Sequence, residues 1–418
     1  MMDGNVPTAS PANDGLEVLT DFGASMLRAG HTAARTREWM GVVGQKLRFD
    51  KLAVGITLDS IIVSGRSDSR TTTAVREIGP PGVNADRIGA LENLAARLKP
   101  GSAPNEIACS LADIESKPAL YGVAWVSAAV GPACGGFAFL NGCGPPEIIA
   151  ASLGGGIGQW ARLMLARRRL NQHFVAALCA VVAAGTYLLV AAATARLGFG
   201  AANHPGGLIS SILFLAPGFP LVAAQLDLVQ YQTTAALTRL IYGVMLFLAA
   251  TFGFSIVIGI TGTSIAHQPG IELAYPLKIL LRAVASFVGG CAFAMVFNCP
   301  IRSVLSVGVL AALANELRLG LHDAGMMLAP ATFFGALAVG LMASLIHRRL
   351  NVPRITLTVP GIIIMVPGVF AFEMIVFFNR GQMLEALQAS ASCAFVLGAM
   401  AMGLAAARLA GGRARVTS

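Results

Sequence analysis

Charge is what this chain has least of. Asp, Glu, Lys and Arg make up only 12% of its 418 residues, against 55% hydrophobic residues, and the mean hydropathy is +0.69. A soluble domain usually carries about 25% charge. The shortage excludes a soluble globular enzyme and indicates a polytopic membrane protein. Carboxylates are the scarcest charges. Residues 1–118 hold 13 Lys/Arg and 14 Asp/Glu, while the rest of the chain holds 17 Lys/Arg and only 7 Asp/Glu. The net charge of +9 therefore comes from the membrane part and reads as the loop charge that sets topology. No basic run carries interleaved aromatics, so no nucleic-acid partner is expected. The 7 cysteines show no metal-ligand spacing, and Cys134, Cys179, Cys291 and Cys393 fall in apolar runs. They read as buried free thiols rather than a disulfide framework. His31, His204, His267 and His347 have no ligand spacing either, so no metal is expected. Gly154-Gly155-Gly156-Ile157-Gly158 follows no strand and precedes no Lys-Ser/Thr pair, so it reads as close helix packing and not a phosphate loop. No cofactor and no ATP-driven step are expected. Residues 1–14 are polar, without the apolar core of a signal peptide, and read as a disordered N-terminus.

What the chain does have is two long apolar segments, each with a Pro-Gly break. The first, 206–226, holds Pro217-Gly218 and then Pro220. The second, 355–375, holds Pro360-Gly361 and then Pro367-Gly368. Each is long enough to cross a bilayer, since about 20 residues at ~1.5 Å each cover ~30 Å. Proline removes a backbone donor, and glycine frees the dihedrals. Unpaired backbone groups survive at membrane depth only against protein or water. Interrupted segments at matching places in two halves point to a transporter's binding site.

The rest of the chain falls into place around them. Residues 15–118 read as a small cytosolic α/β domain of α+β order, with helices near 16–29, 32–47, 86–98 and 104–116, a β-like run at 52–63 and a second strand at 71–75. The membrane part is mainly α and divides into modules at 119–262 and 263–410, followed by a cytosolic tail, 411–418. About ten spans are expected, at 119–140, 146–165, 174–195, 206–226, 236–260, 277–297, 302–319, 326–346, 355–375 and 386–408. The short loops assigned to the inside carry Arg162, Arg167, Arg168, Arg169, Arg239, Arg302, Arg348, Arg349 and Arg354, and the tail adds Arg413 and Arg415. Those assigned to the outside carry Arg196, Arg318 and Arg380. This bias places both termini in the cytosol. Gly135-Gly136-Phe137-Ala138-Phe139 with Asn141 is echoed by Gly289-Gly290-Cys291-Ala292-Phe293 with Asn298. With the Pro-Gly breaks, the echo predicts two five-helix repeats. An odd number of spans inverts the second copy, an arrangement found in secondary transporters.

Site residues follow from cost. An ionisable group inside a membrane is expensive and usually marks a pathway or a proton relay. Asp227 lies ~15 Å along a helix from Pro217, and Glu373 lies ~9 Å beyond Pro367. Both are candidates for proton coupling or gating, the alternative being a wetted helix end. Glu147 joins them, although an acid in a helix's first turn is also ordinary capping chemistry. Glu316, two residues from Arg318, is either part of a buried pair or an outer-loop charge. Glu272, Glu385 and Asp323 beside His322 read as loop charges. Substrate contacts are expected at Pro217, Gly218, Pro220, Pro360, Gly361, Pro367, Gly368 and Asn298. In the N-terminal domain, Ser64, Asp68 and His31 form no recognisable catalytic triad. No catalytic residues are expected.

Some of these stretches carry a resemblance. Leu27-Arg28-Ala29-Gly30 with Arg35 and Glu38, the run to Ser64, and residues 83–98 resemble the N-terminal part of the threonine/serine exporter family. Leu215-Ala216-Pro217-Gly218-Phe219-Pro220-Leu221-Val222, through Asp227-Leu228, resembles its broken span. Phe297-Asn298-Cys299-Pro300, Asn315, His347-Arg348-Arg349-Leu350, Val352-Pro353, Val359-Pro360-Gly361 and Val366-Pro367-Gly368 resemble the family's smaller partner module, here fused to the first. Gly55-Ile56-Thr57-Leu58-Asp59 departs from the Thr-Pro-type turn the family would have there. The resemblance implies a proton-motive-force-driven exporter of threonine, serine or a similar small metabolite in a bacterial inner membrane, with dicarboxylates handled by some relatives. Its partners would be the small-molecule substrate, protons and membrane lipid, and a homo-oligomer stays open. The other readings are a channel-like pore and a membrane-anchored enzyme with its site in residues 15–118.

Overall fold

The computed structural model describes residues 11–57, 59–67, 70–79, 82–168, 170–198, 205–262 and 272–410. The tail at 411–418, most of the N-terminal stretch, the loop around Gln268, and Arg169, His204 and Asp68 lie outside the described residues.

The N-terminal part, called the N-terminal domain below, starts with α1 (Pro11–Arg28), so residues 11–14 belong to a helix rather than to a disordered lead. α2 (Ala33–Lys46) follows, then β1 (Lys51–Ile56), β2 (Ser60–Ser67) and β3 (Arg70–Glu77). The run at 52–63 is two strands rather than one. They pair antiparallel with Val54 opposite Val63 and Ile56 opposite Ile61. The hairpin turn follows Ile56, in the stretch where the resemblance implies a Thr-Pro-type turn. There the Thr57 hydroxyl donates to Asp59 at 2.6 Å and accepts the Ser60 amide at 3.1 Å. Alternation along β2 turns Ile61, Val63 and Gly65 toward α1, where Leu16 and Phe49 cover Gly65. α3 (Ala85–Arg97) and α4 (Pro104–Ser116) complete the layer over α1.

Ten units follow. They are α5 (Val123–Leu140), α6 (Pro145–Ala166), α7 (Gln172–Arg196), a broken unit, α10 (Thr233–Thr261), α11 (Tyr275–Val296), α12 (Ile301–Asp323), α13 (Leu328–Leu350), a second broken unit and α16 (Met383–Ala410). The first broken unit is α8 (Pro205–Ile212), a 3-10 turn at Leu213–Leu215 and α9 (Gly218–Val229). The second is α14 (Ile355–Ile362), a 3-10 turn at Ile363–Met365 and α15 (Gly368–Asn379). Among the described residues, seven straight helices are long and apolar enough to cross a membrane, and the two bent units raise the number to nine. The protein is thus a polytopic membrane protein. α6 fails that test, and its Gly154, Gly155 and Gly158 lie against neighbouring helices instead.

The two halves share one element order. Each broken unit has 8, 3 and 12 residues. Pro217 has φ −77° and ψ 54°, and Pro367 has φ −78° and ψ 51°. In both, the glycine amide donates to the carbonyl two residues back at 2.8 Å, from Gly218 to Ala216 and from Gly368 to Val366. These are inverse γ-turns, with proline fixing φ and removing the amide that would continue the helix. The chain bends by 66° at the first break and 46° at the second. Neither break uses positive φ. Pro360 and Gly361 make no break: Pro360 sits inside α14, and Gly361 faces Val339 and Leu310. Pro220 is the third residue of α9, a first-turn position where a helix needs no donor.

The N-terminal domain docks on one end of the membrane part. The first two amides of α3, at Ala85 and Asp86, donate to the carbonyls of Phe297 and Asn298 at 2.8 and 3.2 Å. One helix end thereby satisfies orphan groups of another. Asn298 has φ +56°; its side chain donates to Asn84 at 2.9 Å and accepts the Leu120 amide at 2.7 Å. The Tyr121 hydroxyl donates to the Cys299 carbonyl at 2.7 Å. Within the domain, His31, Trp39 and Arg35 gather on Glu92 at 2.9, 2.8 and 3.6 Å. Burial pushes the Glu92 carboxyl up, but the His31 hydrogen bond and the charges of His31 and Arg35 outweigh it and hold Glu92 below the usual glutamate range.

Candidate functional site

The two breaks meet. A Cβ built on Gly218 would stand 2.9 Å from Ile363 and 3.6 Å from Val366, while one on Gly368 would stand 2.8 Å from Leu213 and 3.6 Å from Ala216. Each glycine thus faces the 3-10 turn and the residue before the proline in the other broken unit. Beside this crossing lies a cavity of about 940 Å³. Its walls include Leu213, Ala216 and Gly218 from the first unit and Met365, Val366, Pro367, Gly368 and Val369 from the second. Glu373, Arg380, Arg318 and His322 supply its charged and titratable groups. Its remaining walls include Leu140, Asn141, Gly206, Leu328 and Gln382, at helix ends away from the N-terminal domain. The cavity therefore runs from the breaks to the face opposite that domain.

Toward the domain, the cavity gives way to aromatic packing. Phe137 and Phe293, which line the cavity, lie 6.0 Å apart between ring centroids. Phe293 leads to Phe297 at 6.2 Å, and Phe297 to Phe219 at 5.3 Å. Phe219 in turn meets the domain at Gly30, whose φ is +99° and where a Cβ would stand 3.4 Å from the ring. Past Phe219, Asp227 is fully buried. Its Oδ2 lies 3.6 Å from Arg239 Nη1, and its Oδ1 accepts the Ala34 amide at 3.4 Å. Arg239 also donates to the His31 carbonyl at 2.7 Å. A charged pair inside the membrane part is thereby tied to the N-terminal domain through backbone groups at 31 and 34.

Of the expected site residues, Gly218, Pro367, Gly368 and Glu373 line the cavity. Pro217 sets the first bend without lining it. Pro220 packs near Gly243, Pro360 and Gly361 pack inside α14, and Asn298 holds the domain junction. Asp227 lies behind the aromatic stack. Glu147 is buried in the first turn of α6, beneath Gly207 of α8. Sequence reasoning assigned Arg318, His322 and Asp323 to an outer loop. They ride instead on the last turns of α12, where Asp323 pairs with Arg282 at 2.5 Å and Lys278 at 3.7 Å. In the N-terminal domain, Ser64 bonds Thr73 and His31 bonds Glu92, so these two residues belong to separate networks.

Comparisons with known proteins agree on one family. Residues 17–261 match the family model described as "Putative threonine/serine exporter", and residues 282–410 match "Threonine/Serine exporter, ThrE". A relative from Mycobacterium tuberculosis (strain ATCC 25618 / H37Rv), described as "Probable threonine/serine exporter", is 27% identical over 350 residues. The alignment covers 78% of this chain and 63% of the relative, so the chain spans less than two thirds of that protein's length. No solved structure matches. Matched over most of its length by both modules, this chain is a member of the threonine/serine exporter family.

Proposed function

We propose that the chain exports threonine or serine by alternating access, driven by the proton motive force, with the paired breaks as its substrate site. The observation that carries this reading is the reciprocal contact of the breaks beside a cavity. Gly218 meets the second unit, and Gly368 meets the first at corresponding residues. Two five-helix inverted repeats about a pseudo-two-fold axis would produce such reciprocity, and secondary transporters place their sites at that junction. A half-helix opens with amides that have no partner within the helix and suit a carboxylate. With the N-terminal domain in the cytosol of an inner membrane, the cavity faces outward and the aromatic stack closes the inward path. Glu373, a carboxylate on the cavity wall, would carry the coupled proton.

In cells preloaded with serine, a protonophore should abolish uphill export, and Glu373→Gln should reproduce that loss at normal membrane abundance. Glutamine keeps the size but cannot titrate. Accumulation ratios unchanged by both treatments would remove proton coupling through Glu373. A second reading, export of a small dicarboxylate, draws on the charge of the wall, where Arg318 and Arg380 stand against the single carboxylate of Glu373.

A further inference from the structure

Arg318 stands out among the cavity residues. α12 carries it to the second break, where Nη1 donates to the Met365 carbonyl at 3.3 Å, at the end of the 3-10 turn. Gly335 of α13 makes room beside it, since a Cβ there would stand 3.3 Å from Arg318 Cβ and 2.9 Å from the Met365 sulfur. Nε is buried and has no hydrogen-bond partner. Among the described residues, no carboxylate lies within ion-pair distance of Arg318. Of the neighbouring acids, Asp323 is taken by Arg282 and Lys278, and Glu316, two residues back on α12, makes no ion pair with Arg318 and keeps a buried Oε2 without a hydrogen bond. A guanidinium has five donors in a planar fork that matches a carboxylate. Holding that charge at membrane depth with one backbone acceptor is costly unless a ligand supplies the counter-charge.

We infer that Arg318 is the carboxylate-binding residue of the export site, holding the substrate's carboxylate against the second break. The inference rests on the cavity being the substrate site and adds the group that selects substrates there. It requires a carboxylate in the cargo and accepts it from either source, an amino acid or a dicarboxylate. Arg318 also keeps the Met365 carbonyl partnered, so the bound carboxylate and the break geometry are linked through one side chain.

The test is equilibrium binding of radiolabelled serine and of succinate to the purified full chain. Wild type is compared with Arg318→Gln, Arg318→Lys and Gly368→Leu, and serinol, which lacks the carboxylate, is added as competitor. Arg318→Gln should raise Kd for the bound carboxylate about 30-fold or more, as for other truncated buried charge pairs. Arg318→Lys, keeping charge without the fork, should lose less. Serinol should compete poorly in wild type. The arm that binds, serine or succinate, identifies the source of the carboxylate. If Arg318→Gln is not recovered folded, the lysine variant and the serinol competition decide the matter. Unchanged Kd in Arg318→Gln, or serinol competing as well as serine, would overturn the inference. Loss of binding in Gly368→Leu alongside such a result would leave the cavity as the site, whereas unchanged binding in Gly368→Leu as well would remove both.

Discussion

Leucine at Gly218 or at Gly368 is expected to abolish export while the protein still reaches the membrane. Even a Cβ at these positions would stand 2.9 and 2.8 Å from side chains of the opposing unit. Those neighbours are the flexible ends of Ile363 and Leu213, which can give way to a methyl group but not to four carbons. Leucine would fill the space where the units cross, on the wall of the cavity. The effect is one of volume rather than strain, because neither glycine uses positive φ. Gly154→Leu is the contrast. A Cβ there would stand 2.7 Å from the Ala183 carbonyl oxygen, a backbone atom that cannot rotate away. That variant should lower protein yield. Transport per folded molecule separates the two outcomes, and normal specific transport in both break variants would show that the breaks only kink their helices.

The second large effect is expected at the closed end. Phe219→Ala removes the ring that joins the aromatic stack to the N-terminal domain. Truncating a buried phenylalanine costs about 3–5 kcal/mol. If most of that cost falls on the closed arrangement, the population shifts about 100-fold or more, since ~1.4 kcal/mol is tenfold. Arg239→Met should act in the same direction, because it strands the buried Asp227 charge and releases the His31 carbonyl, a loss of about 3–5 kcal/mol. In each variant the cavity should spend less time open to the face opposite the domain. A cysteine at Val369 should then react more than tenfold more slowly with a membrane-impermeant thiol reagent from that face. An unchanged rate in both variants would show that neither group holds the inward path shut.

The two breaks of the candidate site were legible in the sequence because they are written in local chemistry. A proline removes one amide wherever it stands, so Pro217 and Pro367 could be read as breaks, and the Gly-Gly-x-Ala-Phe echo marked the two halves. Pro360 misled because its effect depends on where in a turn it falls. It lies in the last turn of α14, and the chain bends only at Pro367. Asn298, expected among the substrate contacts, stands where the second half echoes Asn141. Its actual work, at φ +56° against Asn84 and Leu120, needs a domain more than 170 residues away in sequence. Arg318 was hidden by a helix end. With the span ended at residue 319 it read as a loop charge, whereas α12 runs on to Asp323 and turns Arg318 into the cavity. The stack of Phe137, Phe293, Phe297 and Phe219 comes from two helices, the residue ending one of them and a half-helix, and no periodicity in one segment reports such a meeting.

The most direct measurement is substrate protection at the second break. Val369→Cys, in a chain with the exposed Cys109 replaced by serine, puts a thiol on the cavity wall one residue past Gly368. Subtracting the reaction of the Cys109→Ser parent leaves the rate at position 369. In whole cells that thiol should react with a membrane-impermeant reagent. Serine or threonine should slow the reaction in a saturable way, at concentrations that also saturate export. A thiol that does not react, or one that reacts at the same rate with and without either amino acid, would contradict the account that the paired breaks form the substrate site.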